Sequence, residues 1–582
     1  MQGRVMNNLN PVYTEKAECQ DCYKCVRECP VKAIKIQSGS AAIIPEECVL
    51  CGHCVDVCPA GAKRVRDDLD RVKKLLTTKK KVLVSLAPSF ASEFTQWNVG
   101  QLISALKKLG FYGVSETALG AQQVSAHVAQ QLELQKGKIV ISSACPAAVD
   151  FITRYIPSFT SSVTNLLSPM LTHSKILHKK YGNDCGVVFF GPCIAKKREA
   201  DSHPQLIDSA LTFADLYRWL EIEQIDPATI VPEESDVFVP NTAEEGGLYP
   251  MDGGMSATLK ANCTVHDSCF MAFSGLKNIK KALEGLDQAV LQENIFIEAL
   301  ACEGGCINGP KAELRDATAS KRYSIVKYST YPKKKIPRSP TIPINEYVAD
   351  TPVERLTYTQ EELRGALKLV GKIVEKDELN CGGCGYDSCK DFACALLGAK
   401  AERTMCVTYM RKLAQNKASG LLRTIPSGVV IVNEEQKILE SNRNFAKLFG
   451  ADTEIVFDAN PGLEGALLKK IVPFHELFKH VLDTGEDLVS RDFRINNRIL
   501  HGSIFTIEPH SVVAGVFADI TAPAVQKEQV IERAQEIIQK NLTMVQKIAY
   551  LLGENAAESE AVLNSIIESF SLQSPEQRNE NE

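Results

Sequence analysis

The stretch ENIFIEALACEGGCINGP (residues 293–310) joins a short apolar run to two cysteines separated by a glycine pair. The run at 295–297 reads as a buried strand, and a cysteine just past its end sits where α/β sheets form ligand sites. Two further stretches repeat this pattern. GKIVISSACP (137–146) leads to Cys145, and GVVFFGPC (186–193), continued by IAK, leads to Cys193 and Lys196. KKVLVSLAP (80–88) is a fourth strand of the kind, and amphipathic helices alternate with all four. Residues 79–327 are therefore expected to form an α/β domain. Its converging loops would bring together Cys145, Cys193, Cys302 and Cys306, four soft thiolate ligands for a cluster. Gly304 and Gly305 would let the backbone approach that cluster closely.

Outward from this stretch, the cysteines fall into groups. The chain has 20 in 582 residues: eight in the first 58, seven between Cys145 and Cys306, five between Cys381 and Cys406, and none afterwards. The run CxxCxxCxxxCP occurs at 19–30 and again at 48–59. Such spacing wraps a tight loop around one cubane corner, and the fourth cysteine of each run ligates the other cluster. One cluster would then use Cys19, Cys22, Cys25 and Cys58, the other Cys48, Cys51, Cys54 and Cys29. Paired zinc knuckles are the competing reading, and the duplicated threefold run followed by Cys-Pro weighs against them. Residues 14–66 resemble bacterial two-cluster ferredoxins, which implies electron transfer.

Composition sets outer bounds. Apolar residues make up 45% and charged residues 24%, as in ordinary globular chains. The formal charge of −5 gives no general field for nucleic acid or an anionic membrane. No apolar run approaches the ~20 residues of a membrane span, and MQGRVMNNLNPVYTEK lacks the apolar core of a signal peptide. A disulfide-stapled secreted protein would be much shorter. Reduced, metal-binding thiols in the cytoplasm are the expectation.

The three strand–cysteine stretches resemble the signature motifs of [FeFe]-hydrogenases over about residues 80–315. The resemblance implies a [4Fe–4S] cluster on Cys145, Cys193, Cys302 and Cys306, with Cys306 bridging to a diiron subcluster that carries carbonyl and cyanide ligands. It implies H2 and protons as reactants. Lys196 matches the lysine that bonds a cyanide ligand, a role that suits a buried ammonium donor. Ser168 in LLSPM and residues 253–255 sit where the family has similar patterns. The departures are specific. The cysteine that normally precedes the first ligand and relays protons is Ala144, which carries none. Methionines expected at two places are Gly191 and Leu300. The proton-path glutamates are missing, since GAQQVSAHVAQQ (120–131) offers only Ser125, His127 and glutamines. Turnover needs a relay matched to the operating pH, so slow turnover is expected. The competing reading is a cytosolic assembly protein of the same superfamily with a cubane and no diiron site; Lys196 and the CxGGC pair argue against it.

The third group, Cys381, Cys384, Cys389 and Cys406, resembles a small four-cysteine [4Fe–4S] domain, with a helix over about 390–403 returning the last ligand. That brings the cubanes to four. Cys185, Cys263, Cys269 and Cys394 remain, with packing as their default role. Residues 418–521 resemble a PAS domain: a strand, a turn at 434–436, a second strand, Asn442 opening a helix, and a closing strand ending in Asp519, Ile520 and Thr521. Beyond it Ile531, Ala534, Ile538, Asn541, Val545, Ile548 and Leu552 step as a coiled-coil seam with a polar register position, or as one face packed on the PAS domain. The expected architecture is multidomain α/β and α+β. It comprises a two-cluster ferredoxin-like domain (1–75), an α/β H-cluster domain (79–327), a proline- and charge-rich linker (328–355), a small helical four-cysteine domain (356–415), the PAS domain (418–521) and a helical signalling or dimerisation segment (522–582). Expected partners are a redox protein, a downstream signalling protein and a second copy of the chain, with neither nucleic acid nor membrane.

Overall fold

The computed structural model describes residues 10–134, 137–263, 270–286, 293–314, 317–329, 334–354, 356–495, 498–521 and 536–545. The chain divides into two compact units, Met1–Met405 and Cys406–Glu582. The division falls inside the span expected as one four-cysteine domain.

The first unit opens with the cysteine repeat, framed by two small antiparallel pairs. Strand β1 (Val12–Thr14) pairs with β4 (Lys63–Val65), and β2 (Ile34–Gln37) with β3 (Ser40–Ile43). The repeat is repeated in the backbone. Asp21, Tyr23 and Lys32 in the first copy, and Leu50, Gly52 and Gly61 at the equivalent positions of the second, all have positive φ. Each copy places its third cysteine on a short helix, Lys24–Glu28 or His53–Asp56.

Two parallel sheets follow. One has the order β6 (Gly113–Glu116), β5 (Val82–Leu86), β8 (Gly186–Gly191), β9 (Ser209–Thr212). The other has β10 (Phe270–Ser274), β11 (Ile295–Leu300) and β7 (Ile139–Ile141). Strands β5 and β8 are buried along their whole length, as their near-continuous apolar sequence requires of parallel strands covered on both faces. Because every pairing is parallel, the loops after β7, β8 and β11 leave from carboxyl ends.

The segment expected as a linker over 328–355 is, in its described part, a strap. Ile342 and Ile344 are buried in the α/β core. Leu167 N donates to Ile344 O (2.8 Å) and Glu346 N to Asn165 O (3.0 Å). Prolines and charges disguise an alternating apolar pattern; proline removes backbone donors but leaves the extended conformation and the carbonyls, which the α/β domain uses. Next, the Thr359-capped helix Gln360–Lys368 packs on Cys389–Leu397, which Ser388 caps. The latter helix stops short of the expected Arg403 because Ala399 turns left-handed (φ 53°).

In the second unit, helix Val407–Thr424 leads into an antiparallel sheet, order β13 (Ile438–Ser441), β12 (Gly428–Asn433), β16 (Val512–Asp519), β15 (Arg498–Glu508), β14 (Leu488–Ile495). Helices Arg443–Leu448, Ala451–Ala459 and His475–Thr484 accompany it. Asn442 caps the first of these, accepting from Phe445 N (2.9 Å), and also accepts from Val429 N (2.9 Å). The chain is helical over 536–545, where Asn541 donates to Ser427 Oγ (2.9 Å) and Ile538 and Val545 face Phe505 and Val516. Of the two readings of this helix, the one packed on its own domain describes these residues; Ile531, Ala534, Ile548 and Leu552 lie outside the described ones. Among the described residues no helix is long and apolar enough to cross a membrane.

Candidate cluster and diiron site

The loops after β7, β8 and β11 meet. A cavity of about 360 Å³ is lined by Cys145, Cys193, Cys302 and Cys306 together. An adjoining cavity of about 650 Å³ shares Cys145, Cys193 and Cys306 and adds Ser89, Thr117, Ala144, Lys196 and Tyr249 on largely apolar walls that include Ala87, Pro88, Met170 and Phe189. The donor set fits a cluster. Burial pushes the Cys193 thiol up to about 11 and holds Cys302 and Cys306 well above the ordinary range. These thiols stay protonated unless a metal group compensates the thiolate charge, so loading releases protons. Among the described residues no three His, Cys, Asp or Glu side chains are arranged for one metal ion, whereas a cubane spreads its corners. In the larger cavity Ser89 is buried and its Oγ has no hydrogen-bond partner among the described residues, an orphan that a bound polar group would satisfy.

Lys196 lies one position into helix Ala195–Ser202 and is 8% exposed. Its Nζ donates to Ser168 Oγ (3.0 Å) and pairs with Glu199 Oε2 (2.7 Å). Two of three ammonium donors are thus used, leaving one for the cavity. Ser168 and Lys196, distant in sequence, are brought together. Gly304 and Gly305 are not at the cavity walls. A Cβ on Gly305 (φ +100°) would stand 2.3 Å from Pro250 O, and one on Gly304 (φ +78°) 2.7 Å from Asn308 Nδ2. A need for glycine at these positions follows from packing against residues 250–252 and 308 alone.

Ala144 does line the larger cavity. Neither Ser125 nor His127 reaches it as a relay. His127 Nε2 is bonded to Ile342 O of the strap (2.8 Å). Ser125 Oγ lies 2.8 Å from both Tyr249 Oη and Thr258 Oγ1, and Thr258 in turn donates to Met255 O (2.7 Å). That hydroxyl chain begins at the cavity with Tyr249 and ends on a backbone carbonyl. Sequence reasoning missed Tyr249, Glu199 and Glu298. Glu298 is fully buried, accepts from Ser256 N and Oγ (both 2.9 Å), and is pushed up to about 7 by burial. Its signal was present: an acid four positions before Cys302 in an otherwise apolar strand.

The N-terminal runs bring thiols together across the repeat. A second cavity of about 360 Å³ is lined by Cys19, Cys22, Cys25 and Cys58. Cys51, Cys48 and Cys29 all act to raise the Cys54 thiol, with Lys63 opposing, so Cys29 of the first run stands within electrostatic reach of the second. Cys51 also lines the Cys302 cavity, and a Cβ on Gly52 (φ +80°) would stand 2.4 Å from Pro310 Cγ; the second set therefore abuts the middle site. In the third group Cys381 is exposed, Cys384 half-buried and Cys389 buried. Cys406, buried, caps helix Val407–Thr424 at the start of the second unit. Cys185 is buried with Sγ 3.5 Å from His178 Nδ1, Cys263 is buried and Cys394 half-buried; Cys269 lies outside the described residues.

Comparison with known proteins agrees in outline. Residues 80–310 match the family model for the iron-only hydrogenase large subunit, C-terminal domain; residues 18–62 match a 4Fe-4S dicluster domain; residues 377–408 match a putative Fe-S cluster. The chain is 25% identical over 300 residues to iron hydrogenase 1 of Clostridium pasteurianum, covering 42% of this chain and 52% of that one. It is 25% identical over 367 residues to the periplasmic [Fe] hydrogenase large subunit of Nitratidesulfovibrio vulgaris (52% and 86%). It thus spans about half the length of the Clostridium protein. A variant of [FeFe]-hydrogenase HydA1 from Chlamydomonas reinhardtii superposes with a TM-score of 0.38 at 17% identity, covering 50% of this chain and all of that one. The chain is a hydrogenase-like iron–sulfur protein of mixed α/β architecture.

Proposed function

We propose that this protein is a hydrogen- or redox-responsive [FeFe]-hydrogenase-type oxidoreductase of low turnover, whose output passes through a PAS-like second unit to another protein. The observation that carries the reading is the contrast inside one cavity: Cys306 and Lys196 are in place, while Ala144 stands where the family has its proton carrier. Cys145, Cys193, Cys302 and Cys306 would hold a cubane, with Cys306 shared with a diiron centre. The remaining cubanes fall to the two crossed N-terminal sets and to Cys381, Cys384 and Cys389, with Cys406 added by sequence spacing. When bound, the diiron group supplies reversible splitting of H2 into protons and electrons.

The chain's own residues supply the rest. Lys196, fixed by Ser168 and Glu199, presents a cationic donor to an anionic ligand. The apolar walls exclude water, which strengthens that contact. Leu300 and Gly191 bring no thioether. Proton delivery is the weak part, because the hydroxyl chain from Tyr249 closes on Met255 O and the strap holds His127. The second reading, a catalytically active PAS-regulated hydrogenase, is favoured by Glu298, a buried carboxyl four residues before Cys302 that burial pushes up to about 7. The sheet of the second unit, with Asn442 opening a helix after the first hairpin, supports the PAS likeness. A second copy of the chain and a cytoplasmic setting complete the proposal.

Infrared spectra of the matured protein are expected to show carbonyl and cyanide bands; their absence would leave only an electron-transfer protein. Ala144→Cys is then expected to raise hydrogen turnover by 10-fold or more, within the ~10²–10⁴-fold scale of general acid–base assistance. A wild-type rate equal to that of relay-intact hydrogenases would sink the sensory reading.

A further inference from the structure

The loop carrying Cys381, Cys384 and Cys389 is clamped onto the N-terminal repeat. Lys32 Nζ donates to Gly385 O (2.7 Å) while holding Val26 O (3.3 Å) and Arg27 O (2.9 Å). A Cβ on Gly385 (φ +94°) would stand 3.1 Å from Arg27 N. Nearby, Ile36 N donates to Lys400 O (2.9 Å) and Ser38 N to Glu402 Oε1 (2.8 Å). Val26 and Arg27 belong to the short helix Lys24–Glu28, between Cys25 of one thiol set and Cys29 of the other.

Tyr386 sits inside this clamp. Its ring packs against Phe392 (centroids 5.9 Å apart), it is 5% exposed, and its Oη has no hydrogen-bond partner among the described residues. Leaving a buried donor unmade costs about 1–3 kcal/mol, so a partner is expected to arrive with the cofactors. Cys384 stands two residues before Tyr386, and Gly385 between them packs on the backbone of Arg27, two residues before Cys29. The sulfurs carried by these two loops are the acceptors that cluster loading would bring to the phenol.

We propose that Tyr386 is a positioning residue between two clusters: its phenol donates a hydrogen bond to the sulfur at Cys384 and holds that cluster beside Cys29. The Cys384 cluster is then the direct electron neighbour of the cluster on Cys29, Cys48, Cys51 and Cys54, which itself abuts the middle site. An electron leaving the middle site past Cys51 meets a fork, with one branch toward the Cys25 cluster and one past Tyr386. One cluster is oxidised and its neighbour reduced by one electron, and the phenol keeps its proton.

The inference rests on reading 381–406 as a cluster site, and the experiment separates the two. In the full-length matured protein, Cys381→Ala is expected to remove one set of iron and one reduced-cluster resonance, which identifies the Cys384 cluster; if neither is lost, the cluster reading itself falls. Tyr386→Phe is then expected to retain all iron, to shift the potential of that one cluster downward, since hydrogen bonds to sulfur stabilise the reduced state, and to abolish an exchangeable-proton coupling on it. Full iron with unchanged potential and coupling would overturn the inference. Should Tyr386→Phe lose the cluster, wild-type protein with ring-deuterated tyrosine decides: deuteron couplings on the Cys384 cluster are expected, and their absence overturns the proposal.

Discussion

Within each N-terminal run, 19–29 and 48–58, each thiol is three or four positions from the next, and left-handed turns at Asp21, Tyr23, Leu50 and Gly52 shape the loops locally. In the middle site Cys145, Cys193 and Cys302 arrive on strand ends from two different sheets. The first arrangement is written in spacing and needs little else. The second exists only while two sheets and their packing hold three loops in register. The two sites should therefore fail differently; substitutions at Gly305, Glu298 and Gly52 probe that difference, and one at Asn541 lies outside both.

The largest effect is expected at Gly305. Alanine there must adopt φ +100° with its Cβ 2.3 Å from Pro250 O, which combines left-handed strain with overpacking for a loss above roughly 3 kcal/mol. Iron analysis of Gly305→Ala should show the middle site emptied while the resonances of the N-terminal clusters persist; simultaneous loss of both would dissolve the contrast.

A titration comes next. Burial raises Glu298 from 4.5 to about 7. Between those values the folded state holds a proton that the unfolded chain has released, so stability should fall as pH rises through that window, by up to about 3 kcal/mol. Denaturant titrations of the apo protein at several pH values should show this slope in the wild type and a flattened one in Glu298→Gln.

Gly52→Ala addresses the seam between the two regions. Its Cβ would meet Pro310, and strain plus displacement should cost about 1–3 kcal/mol. Both sites are expected to load, with slower electron exchange between them in stopped-flow reduction; unaltered exchange would place their contact elsewhere. The smallest effect, about 1 kcal/mol, is expected for Asn541→Ala, which removes the bond to Ser427; thermal melts should register it in the cysteine-free unit without change in iron content.

The same contrast explains what could be read in advance. CxxC spacing reports directly on a loop, so the crossed N-terminal sets and the cluster loop at 381–389 are legible from sequence. The middle site is legible because each cysteine follows an apolar strand, and parallel strands deliver their loops to one edge. Tyr249, Glu298 and Tyr386 are invisible by comparison, because their importance lies in which neighbour the fold supplies and in a hydrogen bond left open. The strap resembles a tether in composition for a related reason: Ile342 and Ile344 alternate with prolines, and their burial depends on register. Gly304 and Gly305 read as letting the backbone approach a cluster, whereas what crowds them is the Asn308 side chain for the one and the backbone of residues 250–252 for the other.

The strap also redraws the limits of autonomous folding. A polypeptide ended near residue 328 would keep every cysteine of the middle site yet leave the seats of Ile342 and Ile344 open to water, the carbonyl partner of Leu167 missing and His127 unbonded. The strap's bonds to the α/β domain run on to Val353, whose N donates to Arg154 O (3.0 Å), so the smallest piece with the hydrogenase-like half complete extends at least that far. Excision at the apparent linker would yield a protein that is intact on paper and hollow at its edge.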